Sequence, residues 1–386
     1  MPSSSRDPSR PEGAFDVVLV GIAARGLAAS ARRAGLRALV LDLFADEDTR
    51  ALASQVVQLR RRDSFALDPD DLLEQLDRHA GSAVPLVLGT GFEDAPELVA
   101  KLAARFRLVG SGADTLARLK DPGIFAGHLA ALGIPHPRFF PGEAPEGVRA
   151  LEKRVGGAGG GHIRRARRAR GAGWYLQEFV DGRSVSALFL ADGRRAHLLA
   201  FSQQWCAPSD TAPFRYGGCA GPIHAEAPLV HPLADALSRL AGAVGLKGLA
   251  SADLILHDEG WHLIEVNPRP GATLDIFDAP PLPPLLRLHL DACAGDLPDL
   301  PLLVPGAGVE ARAAGLFYAP AATVLRDALP DWAADRPAPG TRIAAGEPVC
   351  TVRAAGRDIA EARANLARRM DHLSRALNTA SRAAAE

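Results

Sequence analysis

Five residues, Asp16-Val-Val-Leu-Val20, form an apolar run that stops at Gly21, which predicts a short strand buried on both faces. Ala, Leu and Arg then recur with helical rhythm over 22–34, and Gly35 ends the pattern. Ala38-Leu-Val-Leu41, closed by Asp42, predicts a second strand. Helical patterns over 69–79 and 95–106 alternate with strand patterns at Pro85–Leu88 and Phe106–Val109. Strands that alternate with helices of about a dozen residues predict a doubly wound parallel α/β domain over 15–115, with right-handed crossovers. After Gly133 the rhythm changes. Longer strand patterns at 148–155, 173–180, 184–191 and 195–203 are punctuated by glycine. An amphipathic helix is predicted over 228–244, and two strands, Ala250–His257 and Gly260–Val266, flank the turn Asp258-Glu259. This middle part reads as α+β with antiparallel sheets. A Pro-rich break at 279–284 precedes a helix at 284–294. Strands near 312–318 and 348–353 and a helix over 358–384 complete the chain.

The chain is 386 residues long, enough for two or three domains. Hydrophobic residues are 47% and charged residues 23%, a soluble globular composition. Residues 1–14 are rich in Ser, Pro and Arg without an apolar stretch, and read as a disordered tail rather than a secretory signal. Lys plus Arg number 44 and Asp plus Glu 45, so the formal charge is −1, which argues against a nucleic-acid partner. No apolar run is long enough for a membrane span, so no membrane partner is expected. Cys206, Cys219, Cys293 and Cys350 are widely spaced. That argues against a disulfide scaffold or zinc ribbon and fits a reducing, cytoplasmic setting.

Four features carry candidate chemistry. The first is Lys153 followed by five glycines between Gly156 and Gly161, with Gly157, Gly159 and Gly160 among them. Backbone N–H groups in such a loop can approach phosphate oxygens that side chains would block, and Lys153 supplies a positive charge. No Gly-Lys-Ser/Thr closes the loop, so it is not a Walker A sequence. The second is Gln177-Glu178-Phe179-Val180-Asp181-Gly182, a strand running into a turn, where Glu178 and Val180 can offer adenine an extended backbone edge. In the third, Glu265 and Asn267 are two apart on one strand and share a face, and a hairpin brings Asp253 opposite them. Two carboxylates and a carboxamide are hard oxygen ligands of the kind Mg²⁺ takes together with phosphates. The fourth is Arg269, two residues beyond, whose planar fork suits a carboxylate or a transferred phosphoryl group. Arg25, Thr90 and Glu93 lie at predicted strand ends of the first domain and are weaker candidates for holding a non-nucleotide substrate. The basic run Arg164–Arg170 is a candidate anion site, and Asp275 and Asp278 are candidates for an amine.

In this order and spacing the four features resemble the ATP-grasp superfamily over about residues 15–300. The resemblance implies an ATP-grasp fold: an N-terminal α/β domain (15–115), a small lid domain (116–182) and a larger metal-binding domain (183–300), which clamp ATP between antiparallel sheets. The segment 301–386 is expected to be α+β and to pack on this core. It further implies that Asp253, Glu265 and Asn267 bind Mg²⁺, with Mn²⁺ as an alternative. Lys120 and Lys153 would contact the nucleotide, with Lys153 and Arg269 also in catalytic roles. Gly157, Gly159 and Gly160 would hold phosphate, Gln177, Glu178 and Val180 the adenine, and Asp181 would replace the ribose-binding acid for which this chain has Ser184. The implied activity joins a small carboxylate to an amine through an acyl phosphate, with a homodimer as one expected assembly. The strings Arg25–Gly35 and Asn267–Asp275 resemble a branch that accompanies tetrahydromethanopterin- or methylofuran-dependent one-carbon enzymes, with tyramine–glutamate ligases as relatives. Two readings remain beside this one: a carboxylase or kinase-like member with another acceptor, and a nucleotide-binding regulator without turnover.

Overall fold

The computed structural model describes residues 15–63, 65–306 and 308–382. The expected tail at 1–14 and the last two positions of the expected terminal helix, 383–384, lie outside the described residues. The first domain holds a four-stranded parallel sheet in the order Gln55–Gln58, Ala38–Asp42, Val17–Val20, Leu86–Leu88. Val17 to Val20 are all buried, as a run without polar alternation requires when helices cover both faces. Phe106–Val109 does not form the expected strand. It reaches the sheet edge through a single parallel bridge between Leu86 and Leu108.

Two helices that the hydrophobic pattern did not predict, Ala113–Lys120 and Pro122–Ala131, lead out of this domain. They share a boundary at Asp121, whose carboxylate accepts from the Ile124 N–H, with Pro122 at the first helical position. A small antiparallel sheet follows, ordered Phe139–Phe140, Trp174–Glu178, Ala150–Arg154, Arg164–Arg165.

The largest sheet has eight antiparallel strands: Gly260–Asn267, Lys247–His257, Arg183–Asp192, Ala196–Cys206, Tyr216–Gly221, Ala311–Tyr318, Pro348–Gly356 and Ala333–Ala334. One face packs on the helix Ala227–Val244, with Phe189 and Phe201 fully buried. The other packs, at one end, on the helices Leu285–Ala294 and Arg25–Arg33 through Leu190, Leu249, Leu285 and Phe277. Each such large side chain contributes about 1.5–3 kcal/mol on burial. The helix Ile359–Arg382 covers the sheet's far end with Leu366, Leu373 and Leu377. Three strands from beyond residue 300 therefore extend the central sheet itself and do more than pack against it. No helix among the described residues is long and apolar enough to cross a membrane.

Candidate active site

The small sheet and the large sheet face each other across a cleft. Lys120, Lys153, the glycines from Gly156 to Gly160, Gln177 and Glu265 line it, with Phe139, Tyr175 and Leu263 as apolar walls.

The hairpin Lys247–His257/Gly260–Asn267 sets one wall. Its register pairs Asp253 with Glu265 and Ser251 with Asn267, so opposite residues share a face. The structure brings Asp253, Glu265 and Asn267 together: the Asn267 amide donates to Asp253 Oδ2 at 3.3 Å. Asp253 Oδ1 accepts from Ser186 Oγ at 2.8 Å and Gln204 Nε2 at 2.9 Å. Neither Ser186 nor Gln204 was singled out from the sequence. The available signal was polar residues set within largely apolar strands: Ser184 and Ser186 at alternate positions on one, and the run Ser202-Gln203-Gln204 on the next.

Lys120, at the end of its helix, reaches two of these side chains. Its ammonium donates to Asn267 Oδ1 at 2.9 Å and to Glu265 Oε1. Burial works against ionisation of Glu265, but the Lys120 ammonium, its hydrogen bond and the Lys153 charge outweigh it, and the carboxyl is held below its ordinary range. Burial and the neighbouring Glu265 charge push the Asp253 carboxyl up, against the hydrogen bonds from Ser186 and Gln204. Lys153 projects from the strand Ala150–Arg154 and donates to Gln177 Oε1 at 2.6 Å, while Gln177 reaches the Ile264 carbonyl at 3.4 Å. Burial pushes the Lys153 ammonium down, opposed by the Glu265 and Asp253 charges. His162, behind the loop, is pushed down to about 4, chiefly by burial, and is therefore neutral near pH 7.

The glycine-rich loop lies over the cleft and is held at both ends. A Cβ on Gly156, whose φ is +66°, would come within 2.6 Å of Asp94 Cβ, so the backbone of the first domain presses directly on the loop. A Cβ on Gly160 would strike the Phe214 carbonyl, and the Tyr216 N–H donates to the Gly159 carbonyl at 2.9 Å.

Other expected residues are placed differently. Glu178, Val180 and Asp181 continue past Gln177, outside the residues that line the cleft. The Glu178 carboxylate is gripped by Arg138 at 2.8 and 2.9 Å, and its backbone N–H donates to the Arg138 carbonyl. Asp181 is exposed and ion-paired with Arg149. Arg269 points at buried Glu93, with Nε 2.7 Å from Oε1. The basic run is largely neutralised. Arg164 and Arg170 share the buried Glu152, Arg168 pairs with Glu143, and the Arg165 guanidinium lies 4.3 Å from the centroid of the Phe179 ring. Arg25 is buried and paired with Asp275 and Asp335. Asp278 is occupied by Ser30, Arg33 and the Leu285 N–H. These three groups are spent on holding segments together and do not offer the free charges expected of them.

Among the described residues no group of three or more His, Cys, Asp or Glu side chains is arranged to hold a metal. Asp253, Glu265 and Asn267 are two carboxylates and a carboxamide, an all-oxygen set too small to enclose an ion alone. It fits Mg²⁺, which binds through one or two carboxylates and completes its shell with water and phosphate oxygens.

Residues 127–273 match the ATP-grasp domain family. No curated protein sequence matches the chain. Solved structures do. The biotin carboxylase domain of Hydrogenobacter thermophilus 2-oxoglutarate carboxylase, determined with MgADP, ADP and bicarbonate, superposes with TM-score 0.67 at 12% identity, over 88% of this chain and 86% of that one. The L-amino acid ligase of Bacillus licheniformis gives 0.65 at 15%, over 94% and 98%. The N5-carboxyaminoimidazole ribonucleotide synthetase of Thermotoga maritima gives 0.63 at 14%, over 93% and 98%. A parallel first sheet, together with a small and a large antiparallel sheet that face each other across the cleft, therefore constitutes an ATP-grasp fold.

Proposed function

We propose that this protein is an ATP- and Mg²⁺-dependent ligase that activates a carboxylate as its acyl phosphate and passes the acyl group to an amine. The observation that carries the proposal is the convergence of Asp253, Glu265 and Asn267 with Lys120 and Lys153 in one cleft, beneath a glycine-rich loop held over it. Asp253, Glu265 and Asn267 would hold Mg²⁺, which supplies charge neutralisation at the β- and γ-phosphates. Lys120 and Lys153 bind phosphate oxygens, and Lys120 leaves Glu265 and Asn267 to do so. Gly159 and Gly160 present backbone N–H groups to the same oxygens, Gly157 joins them on releasing the Arg154 carbonyl, and the loop keeps water away. Gln177, Glu178 and Val180 edge the adenine, and Asp181 turns to the ribose on giving up Arg149. The substrate carboxylate attacks the γ-phosphorus in line, the bond to the bridging oxygen breaks, and ADP leaves. Arg269 stabilises the acyl phosphate and the oxyanion that forms when the amine attacks; the amine then loses a proton and inorganic phosphate departs. Positioning and electrostatics carry these steps, so no nucleophilic Ser or Cys is required.

The strings Arg25–Gly35 and Asn267–Asp275 support a place in tetrahydromethanopterin or methylofuran assembly, so pterin and furan precursors belong among the candidate substrates beside amino acids. The likeness to a carboxylase determined with bicarbonate supports including bicarbonate as an acid. The test is ADP formation with Mg²⁺, or Mn²⁺ in its place, for each acid with and without amines. Turnover that needs both acid and amine supports the ligase. Turnover with bicarbonate and no amine favours a carboxylase. ATP binding without turnover on any acid would leave a regulator. Glu265→Gln is expected to keep the fold and lower ADP formation by about 100-fold or more. Wild-type turnover in that variant rejects the metal assignment.

A further inference from the structure

Glu93 and Asp94, adjacent residues of the first domain, touch the glycine-rich loop of the cleft and Arg269 outside its lining, two groups far apart in sequence. Glu93 is 5% exposed. Its Oε1 accepts from Arg269 Nε at 2.7 Å, and its Oε2 accepts from the N–H groups of Gly91 at 2.8 Å and Phe92 at 3.0 Å. The carboxylate is thus fixed to its own backbone before it grips the guanidinium. On the other side of the same peptide, Gly156 of the glycine-rich loop rests on Asp94 and on the Glu93 carbonyl, where an added Cβ would stand 2.6 Å from Asp94 Cβ and 2.9 Å from that oxygen. Arg154 adds a long ion pair to Asp94 at 3.7 Å. Both groups are exposed, so this pair contributes little and the backbone packing is the stronger link.

We propose that Glu93 is the positioning residue for Arg269, and that the Glu93–Asp94 step joins seating of the glycine-rich loop to placement of the Arg269 guanidinium. This rests on the nucleotide reading of the cleft. An acyl phosphate left uncovered is lost to water, and an enzyme that sets its arginine only when the loop is down makes the intermediate only under cover. One short rigid peptide can achieve this because the loop and the arginine meet its two sides, and any shift of the loop against Gly156 moves the Glu93 carboxylate. Coupling of this kind is reciprocal: nucleotide seating favours the arginine contact by the same factor as the arginine contact favours nucleotide seating.

The experiment is a double-mutant cycle on the full chain. The readouts are calorimetric binding of the Mg²⁺ complex of adenylyl imidodiphosphate and hydrogen exchange of the loop amides 154–163. Gly156→Ala, which drives a methyl group into Asp94, is expected to weaken binding about tenfold. Glu93→Gln keeps the size and one acceptor but removes the charge facing Arg269. It is expected to weaken binding several-fold and to speed exchange in the loop, which it does not contact through its side chain. The double variant is expected to bind about as Gly156→Ala does, because the link is already broken. Strictly multiplicative losses, or unchanged loop exchange in Glu93→Gln, overturn the coupling. Should Glu93→Gln fail to fold, Glu93→Asp, which keeps the charge and withdraws it by one methylene, enters the same cycle with the same expectations. A wild-type protein that binds no nucleotide analogue overturns the reading of the cleft and this inference with it, whereas binding with independent effects overturns the coupling alone.

Discussion

In one cluster at the cleft wall two ammonium groups, Lys120 and Lys153, balance two carboxylates, Asp253 and Glu265. The balance sets what a ligand must displace. On the proposed reading, a divalent ion added by itself would compete with Lys120 for Glu265 and Asn267, whereas a metal–triphosphate would bring the anions that draw Lys120 away. Lys120→Gln is therefore expected to tighten binding of Mg²⁺ alone and to weaken binding of its adenylyl imidodiphosphate complex, each by about tenfold, in calorimetric titrations of the folded variant. Parallel weakening of both ligands would contradict this role. At this scale the candidate ligands were legible because two of them are two residues apart on one strand and the third lies just across a hairpin turn. The contacts that orient them were not legible. Lys120 lies 145 residues from Glu265, and Glu93 lies 176 residues from Arg269. No local pattern reports a pairing of that span.

Among the elements, most longer strands with β-branched or alternating residues were readable, Gln55–Gln58 excepted despite its two valines. The strand Tyr216–Gly221 was not, because Tyr-Gly-Gly-Cys-Ala-Gly carries three glycines and no β-branched residue. Packing explains the composition. A Cβ on Gly218 would lie 2.6 Å from the Trp205 ring and 2.8 Å from Gly315 Cα, so the neighbouring strands approach more closely than a side chain permits. Gly218→Ala is expected to destabilise the protein by about 2 kcal/mol or more, read as a lower urea midpoint. The same strand begins at Tyr216, whose N–H holds the Gly159 carbonyl, so the variant should also seat the glycine-rich loop less firmly.

Across the molecule, the first domain, the segment after Asn267 and the part beyond residue 300 meet at one buried arginine. Arg25 contacts Asp275 and Asp335, and Asp48 lies nearby at 3.8 Å and accepts from the Asp335 and Arg336 N–H groups. Asp46 stands at the rim of this acid-rich junction. Burial, followed by the charges of Asp335, Asp42 and Asp48, pushes it from 3.8 up to about 8. Its native-state value lies above that of the unfolded chain, so its contribution is fully present in acid and is lost as pH rises through about 8. Thermal stability is expected to fall by about 5 °C or more between mildly acidic and mildly alkaline buffer, and Asp46→Asn should flatten that slope. An equal slope in the variant would assign the effect to other groups. The alternation of strands and helices made the first domain readable, yet nothing local in 311–356 indicated that its strands would enter the central sheet beside Tyr216–Gly221.

That neighbour relation sets a limit on dissection. Tyr216–Gly221 is flanked by Ala196–Cys206 on one side and by Ala311–Tyr318 on the other, and the Tyr318 hydroxyl donates to the Tyr216 carbonyl at 2.8 Å. A fragment ending near residue 306 would contain every candidate metal ligand and both lysines, yet its loop would dock on a raw sheet edge, so expression trials aimed at a minimal nucleotide binder should keep the chain through Gly356 at least.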